Sequence, residues 1–280
     1  MRFIEIKALA KINIGLDVLS KRNDGYHNLN TLFYPILDLY DTISFELSDE
    51  FEFICDSNTI PTDNSNLVVR ATRLLEEISG KKLKVKIELQ KIIPSQAGLG
   101  GGSSDAASTL ISLNELFQLG IKYKKMIELA LQLGSDVPFF IKAKPAIGNS
   151  RGEILEHISL CIEEPILVVN PRINVSTKEA FAQIQTNNIR TDYKSLIKEE
   201  KLDYSRLRAT IKNDFEKPIL NLYPQIKNIK DIFYDSGALF SLMSGTGSTI
   251  YGIFPDLNSA EFAKSKMDSS YFCFMSTPHM

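Results

Sequence analysis

The chain has 280 residues, 44% of them apolar and 24% charged, a net charge of −2 and an isoelectric point near 6.0. That length exceeds the usual size of one hydrophobic core, so two domains are expected, and the weak net charge excludes a general affinity for nucleic acid or anionic lipid. Cys55, Cys161 and Cys273 are far apart with no C-x-x-C spacing, which excludes a disulfide framework or zinc site; no apolar run reaches spanning length and no signal segment opens the chain, so a soluble, cytoplasmic protein is expected.

Residues 11–18 alternate as a strand. Ile12, Ile14, Leu16 and Val18 share one face, Lys11, Asn13 and Asp17 the other, with Gly15 between them. A Lys and an Asn two positions apart project side by side, either holding an oxygen-rich ligand or lying on a solvated strand face. Asp24-Gly25 marks a turn, and Tyr26 and His27 follow at its exit, where a loop presents side chains to a ligand. Residues 41–47 and 50–56 read as further strands. Asn66 precedes an amphipathic helix over 67–79 that Gly80 closes.

Residues 83–90 alternate apolar and polar, the pattern of a half-buried strand, and apolar residues recur at helical spacing over 106–119. Between them lies Pro94-Ser-Gln-Ala-Gly-Leu-Gly-Gly-Gly-Ser-Ser104. Gly98, Gly100, Gly101 and Gly102 remove the Cβ atoms that would block a close ligand and open dihedrals closed to other residues. Successive N–H groups of the turn, together with the helix N-terminus, make a cradle for an anion, here a nucleotide triphosphate. Ser103 and Ser104 either cap the helix or offer hydroxyls to a phosphate or its metal. Gly102 is followed by Ser103 rather than the Lys of a Walker A loop, and Ser103 also stands where the dinucleotide fingerprint needs its last glycine. The bland alternative is a turn without a ligand.

A helix over 124–133 stops at Gly134. Asp136 follows, before Pro138, either as a helix N-cap or as a catalytic carboxylate. Residues 143–152 read as a loop, and 151–153 return the chain to a strand. The domain boundary is expected within 155–165. The second half reads as βαββαβ: strands over 165–169, 239–243, 248–254 and 271–275, and helices over 177–185, 223–234 and 257–267. Residues 186–215 are polar and irregular with helical pieces. This order predicts a split-βαβ, ferredoxin-like layer. Ser244-Gly-Thr-Gly-Ser248 is a second glycine-rich turn, either closing over the first or forming a plain hairpin.

Taken together, residues 10–16, 24–27, 94–107, 134–139 and 244–248 resemble the GHMP kinase superfamily, whose ATP loop has the form P-x-x-x-G-L-G-x-S-S. The resemblance implies an α+β fold: a ribosomal-S5-like ATP-binding domain over 1–158 and a ferredoxin-like domain over 159–280. It implies ATP as phosphoryl donor with Mg²⁺ carried alongside, through Pro94, Ala97, Gly98, Leu99, Gly100, Gly101, Gly102, Ser103 and Ser104. Ser104 is the only metal contact suggested. Asn66 and Lys91 would meet adenosine, and Gly245, Thr246 and Gly247 would close over the site. Asp136 matches the superfamily's catalytic base and Lys11 its charge-stabilising partner, the two meeting beside the phosphates.

The Asp-Gly-Tyr-His block and the long glycine loop select a branch that phosphorylates the tertiary 2-hydroxyl of a cytidylated methylerythritol. Tyr26 and His27 would then contact cytidine, with Phe181 as the second ring of a sandwich, Thr177 beside it and Asn13 near the reacting hydroxyl. The implied partners are small molecules alone, with no nucleic acid or membrane, and the chain acts as a monomer or homodimer. Residues 143–150 depart from the pattern by lacking paired glycines. Two other readings stay open: a homoserine- or mevalonate-type kinase, and a nucleotide-binding regulator without turnover.

Overall fold

The structure, a computed structural model, describes residues 2–184, 186 and 188–277. Two strands dominate its first part: β1 (Phe3–Lys21) with 19 residues and β2 (His27–Leu47) with 21. Strands in globular proteins usually run about 5–6 residues. Each is therefore long enough to leave one compact unit and enter another. One unit comprises residues 2–10, 39–93 and 100–143, the other 11–38, 94–99 and 144–277. These units do not coincide with a division into 1–158 and 159–280, because both long strands are shared and the glycine loop changes unit between Leu99 and Gly100.

In the first unit, β3 (Glu52–Cys55) runs parallel to β4 (Val85–Gln90), and residues 42–47 of β2 run antiparallel to β4. Val85, Ile87 and Leu89 are buried, as alternation predicts. Helix α1 (Leu67–Ser79) starts at Asn66, whose Oδ1 accepts from the Val68 N–H, and ends at Gly80 in the left-handed region at φ +66°. It packs against α2 (Gly101–Leu116), which also meets α3 (Tyr123–Leu133) and α4 (Val137–Phe140).

Helix α2 starts five residues before the expected position. Its cap is Gly100, left-handed at φ +74°, and not Ser103 or Ser104, so the glycines themselves form the first turn. The early turns bury Ser104, Asp105 and Ser108, polar residues that carry no apolar signal.

In the second unit, residues 29–33 of β2 pair antiparallel with β5 (Ala146–Ser150), which pairs in turn with β6 (Ile154–His157). The expected loop over 143–152 is therefore largely a strand, and residues 151–153 are the turn between strands. Pro145, Gly148, Asn149 and Ser150 suggested otherwise, but partners on both edges outweigh weak propensity. Gly148 is there for space: a Cβ would come within 2.6 Å of the Phe33 ring.

Four antiparallel strands form the unit's other sheet in the order β10-β11-β7-β12, where β7 is Ile166–Asn170, β10 Phe240–Met243, β11 Ile250–Ile253 and β12 Phe272–Ser276. With α5 (Thr177–Ala182) after β7 and α9 (Leu257–Ser265) after β11, this is the ferredoxin-like layer expected. Gln185, the expected end of α5, lies outside the described residues, as does Asn187 of the irregular stretch. That stretch contains the short hairpin β8 (Ile197–Lys198) and β9 (Lys201–Leu202) and helix α6 (Tyr204–Thr210). Helix α7 (Glu216–Leu222) has no counterpart in the sequence reading, since Pro218 hides it; Pro is tolerated in a first turn. Helix α8 (Pro224–Asp235) covers the sheet. Val169, Phe215, Phe233, Ile250 and Phe254 build the core. Among the described residues, no helix is long and apolar enough to cross a membrane.

Candidate active site

In the second unit, β1 buries both of its faces. Lys11 and Asn13 are 2% and 1% exposed, and Ile12 and Ile14 are equally buried. A buried ammonium must be partnered to stay charged. Lys11 Nζ donates to the Gly98 carbonyl at 2.9 Å and to Asn13 Oδ1 at 2.5 Å. Asn13 Nδ2 donates to Thr31 Oγ1 at 2.8 Å, and that hydroxyl donates to the Gly15 carbonyl. The solvated-face alternative for this strand is thereby ruled out.

The two glycine-rich turns touch. Ser244 Oγ donates to the Gly98 carbonyl at 2.8 Å, so that oxygen takes bonds from Lys11 and Ser244 together. The Asn13 N–H donates to Ser244 Oγ at 3.3 Å. Gly98 sits at φ +77°, and a Cβ there would fall 2.0 Å from the Ser244 carbonyl oxygen; one on Gly245 would meet Gly98 Cα at 3.3 Å. Backbone packs on backbone, which only glycine permits. Thr246 reaches the Thr177 hydroxyl at 3.3 Å, tying the turn to the start of α5. The side chains of Ala97 and Leu99 are buried and Pro94 is half-buried, so what this part of the turn can offer a ligand is mainly its backbone.

The aromatic residues group differently from the expected sandwich. Phe181 stacks on His27 at 4.7 Å with 22° between the planes, and meets Phe215 edge-on at 4.7 Å. Tyr26, exposed, lies under the Arg151 guanidinium at 3.6 Å, a cation–π contact. Burial, and then the charge of Lys21, push the His27 imidazole below its ordinary pKa. That shift favours the neutral imidazole, which has one N–H and one lone pair.

In the first unit, Gly100 and the start of α2 leave first-turn N–H groups without an intrahelical acceptor. Gly102 is helical, and a Cβ on it would meet no protein atom closer than Leu67 Cδ1 at 4.0 Å. The described packing therefore leaves open space beside Gly102. Ser103 is half-buried. Asp136 occupies the N-cap position of α4 at φ −85°, ψ −15°, but its side chain makes no capping bond.

Two residues expected at adenosine have other work. Asn66 spends Oδ1 on the Val68 N–H and Nδ2 on the Pro61 carbonyl, each at 2.8 Å. Lys91 is buried in an ionic triad, donating to Asp41 and, at 2.9 Å, to Asp105. Asp41 also accepts from the Ile92 and Ile93 N–H groups and so holds the strand end that leads into the glycine loop. A Cβ on Gly101 would meet Lys91 Nζ at 3.2 Å. Asp41 and Asp105 escaped the sequence reading, since each sits in an ordinary strand or helix pattern.

Burial outweighs the pull of Lys91 and, together with the charge of Asp41, pushes the Asp105 carboxyl up to about 7. Its folded pKa lies above the unfolded value, so the folded chain binds this proton more tightly. The associated stability is fully present below about pH 4 and is lost as pH rises through about 7. Lys91, held above its usual value by the two carboxylates, titrates far above that window. The melting temperature should therefore fall from about pH 5 to about pH 8, and Asp105→Asn should flatten that slope. An unchanged slope in the variant would assign the titration to another group.

Among the described residues no three His, Cys, Asp or Glu side chains gather as a ligand set. Ser104 is 2% exposed, and Asp105 beside it is bound to Lys91.

A strand, a glycine-rich turn leading to a helix start, a buried Lys bonded to that turn and a ferredoxin-like sheet are the parts of a small-molecule kinase of the GHMP class. The chain matches the GHMP kinase N-terminal domain over residues 66–144 and the C-terminal domain over 193–272. It is 36% identical over 282 aligned residues to a 4-diphosphocytidyl-2-C-methyl-D-erythritol kinase of Chlorobium phaeobacteroides, covering 99% of this chain and 96% of that one. The kinase of the same name from Thermoanaerobacter pseudethanolicus is also 36% identical, with the same coverages. A solved 4-(cytidine 5'-diphospho)-2C-methyl-D-erythritol kinase superposes with a TM-score of 0.82 at 30% identity, covering 97% of this chain and 98% of that one. A homoserine kinase from Cytophaga hutchinsonii shares the fold at a TM-score of 0.77 and 19% identity, over 99% and 95% of the two chains. The chain belongs to the 4-diphosphocytidyl-2-C-methyl-D-erythritol kinase family of GHMP kinases, enzymes that pass a phosphoryl group from ATP to an alcohol.

Proposed function

We propose that this chain transfers the γ-phosphoryl group of ATP to the tertiary 2-hydroxyl of 4-diphosphocytidyl-2-C-methyl-D-erythritol, giving the 2-phosphate and ADP in isoprenoid precursor synthesis. The observation that carries the reading is the buried Lys11 ammonium bonded to the Gly98 carbonyl of the phosphate loop. Phosphoryl transfer asks for positioning and charge stabilisation more than for covalent help. In this reading the acceptor oxygen bonds to the γ-phosphorus as the bond to the β–γ bridging oxygen breaks. ADP leaves with that electron pair, and the hydroxyl proton passes to the Asp136 carboxylate.

Lys11 offsets charge on the transferring group, and Asn13 holds the acceptor near it. The N–H groups over 98–104 hold the phosphates, and Gly245, Thr246 and Gly247 cover them. Mg²⁺ enters as part of the ATP substrate, held by phosphate oxygens and water, as this ion often is; Ser104 is its one suggested protein contact. The cytosine ring lies beside Tyr26 and the stacked His27–Phe181 pair, with Thr177 nearby. Asn66 and Lys91 shape the adenosine side from their capping and ion-pair positions. The enzyme works in the cytoplasm. The chain acts as a monomer or homodimer.

An ADP-release assay offering the cytidylated methylerythritol beside homoserine and mevalonate tests the reading. Release is expected with the first alone, and cytidine nucleotides should compete with it. Release with homoserine or mevalonate instead would replace the acceptor, and none with any would favour a regulator. Tyr26→Ala should raise the acceptor KM roughly ten- to hundredfold, the worth of one base stack, with the ATP KM nearly unchanged. An equal rise in both would move Tyr26 out of the cytidine pocket.

A further inference from the structure

Asn213 lies in the polar stretch between α6 and α7, where nothing in the sequence marks it. It is 3% exposed. Its Nδ2 donates to the Met243 carbonyl at 2.8 Å and to the Gly245 carbonyl at 2.7 Å, spanning both ends of the Met243–Gly245 segment. Its Oδ1 accepts from the Phe215 N–H at 3.0 Å, so the carboxamide is fully used. Glu216 adds a third hold, accepting from the Met243 N–H at 2.9 Å through one oxygen and from Lys230 through the other. The backbone around Asn213 is fixed to β1: the Leu16 N–H donates to the Lys212 carbonyl and the Asp214 N–H to the Leu16 carbonyl, at 3.0 and 2.9 Å.

Asn213 thus clamps the turn to the strand that carries Lys11 and Asn13. Between its two acceptors sits Ser244, whose hydroxyl reaches the Gly98 carbonyl and accepts from the Asn13 N–H. Lys11 donates to that same carbonyl. Without the clamp, Met243 and Gly245 would each keep a buried carbonyl lacking a donor, and the turn would shift to find water. Ser244, Gly98 and the Lys11 ammonium would follow.

We propose that Asn213 is a positioning residue for phosphoryl transfer, acting through Ser244 and the Gly98 carbonyl to place Lys11. The inference rests on the role given to Lys11 above. A misplacement of about 1 Å at a reacting centre costs up to about a hundredfold in rate.

The decisive variant is Asn213→Asp, which keeps the acceptor for the Phe215 N–H and removes the donor to both carbonyls. Steady-state kinetics should show kcat down about ten- to hundredfold, with the acceptor KM within about threefold, because the aromatic group is left in place. In a Ser244→Ala background the same substitution should cost less than about threefold, since the path is already cut. Equal losses in both backgrounds, or an unchanged kcat, would overturn the inference. Should Asn213→Asp fail to fold, Ser244→Ala alone carries the test: it keeps every backbone bond of the turn and should show the same fall in kcat at constant acceptor KM. An unaltered kcat there overturns the inference equally. Lys11→Met separates the two levels. If it stays near full activity, the reading of Lys11 fails; if it is inactive while Asn213→Asp is normal, only the positioning role fails.

Discussion

Asp136→Asn should lower kcat by about 10²–10⁴-fold, the range over which a positioned general base contributes, with the dissociation constants for ATP and a cytidine nucleotide within about threefold of normal. The structure lets that loss be read as chemistry. Asp136 stands at the N-cap position of α4, but its side chain makes no capping bond, so Asn removes no cap from that helix. Asn has nearly the same shape and differs chiefly in losing the negative charge and the capacity to accept a proton. Because the substitution is nearly isosteric, calorimetry should show little change in melting temperature. Turnover within a few-fold of normal would strip Asp136 of the base role, and a large drop in melting temperature would make the residue structural.

Gly98→Ala should lower kcat/KM by on the order of 10²-fold, because the added methyl disturbs positioning at the phosphate loop itself. It would fall 2.0 Å from the Ser244 carbonyl oxygen and 2.9 Å from its carbon, both backbone atoms that cannot rotate away. The residue also holds φ +77°, where an L side chain adds about 1–2 kcal/mol. The two turns must part, and the Gly98 carbonyl that takes bonds from Lys11 and Ser244 moves with them. Gly102→Ala is the contrast. Its methyl meets no protein atom closer than 4.0 Å, so the melting temperature should hold while ATP binding weakens. If both variants lost stability alike and kept the same ATP affinity, the division between a glycine required by packing and one required by a ligand would not stand.

Much of the fold was legible because its signals are local. Asn66 and Gly80 bound α1 where capping chemistry places them, and β4 alternates as its pairing demands. The failures have local causes too. Strand β5 reads as a loop because Gly148 serves the Phe33 ring rather than a turn, and α2 starts early because its first turns bury serines and an aspartate in place of aliphatic residues. Residues 11–18 fit a solvated face equally well, and only the packing around Lys11 and Asn13 decides the matter.

By itself, then, the sequence determined the glycine cradle between strand and helix, the ferredoxin-like order of the second half and the kinase resemblance, since each rests on residues near one another in the chain. Tertiary structure alone decided that Lys11 and Ser244 share one carbonyl, that Lys91 is committed to Asp41 and Asp105, that Phe181 lies on His27, and that Asn213 holds the second turn. Such contacts join residues distant in the chain: Gly98 and Ser244 are 146 positions apart. Periodicity reports which face a residue shares with its neighbours in sequence, whereas a hydrogen bond between distant segments exists only once the chain has closed the loop between them.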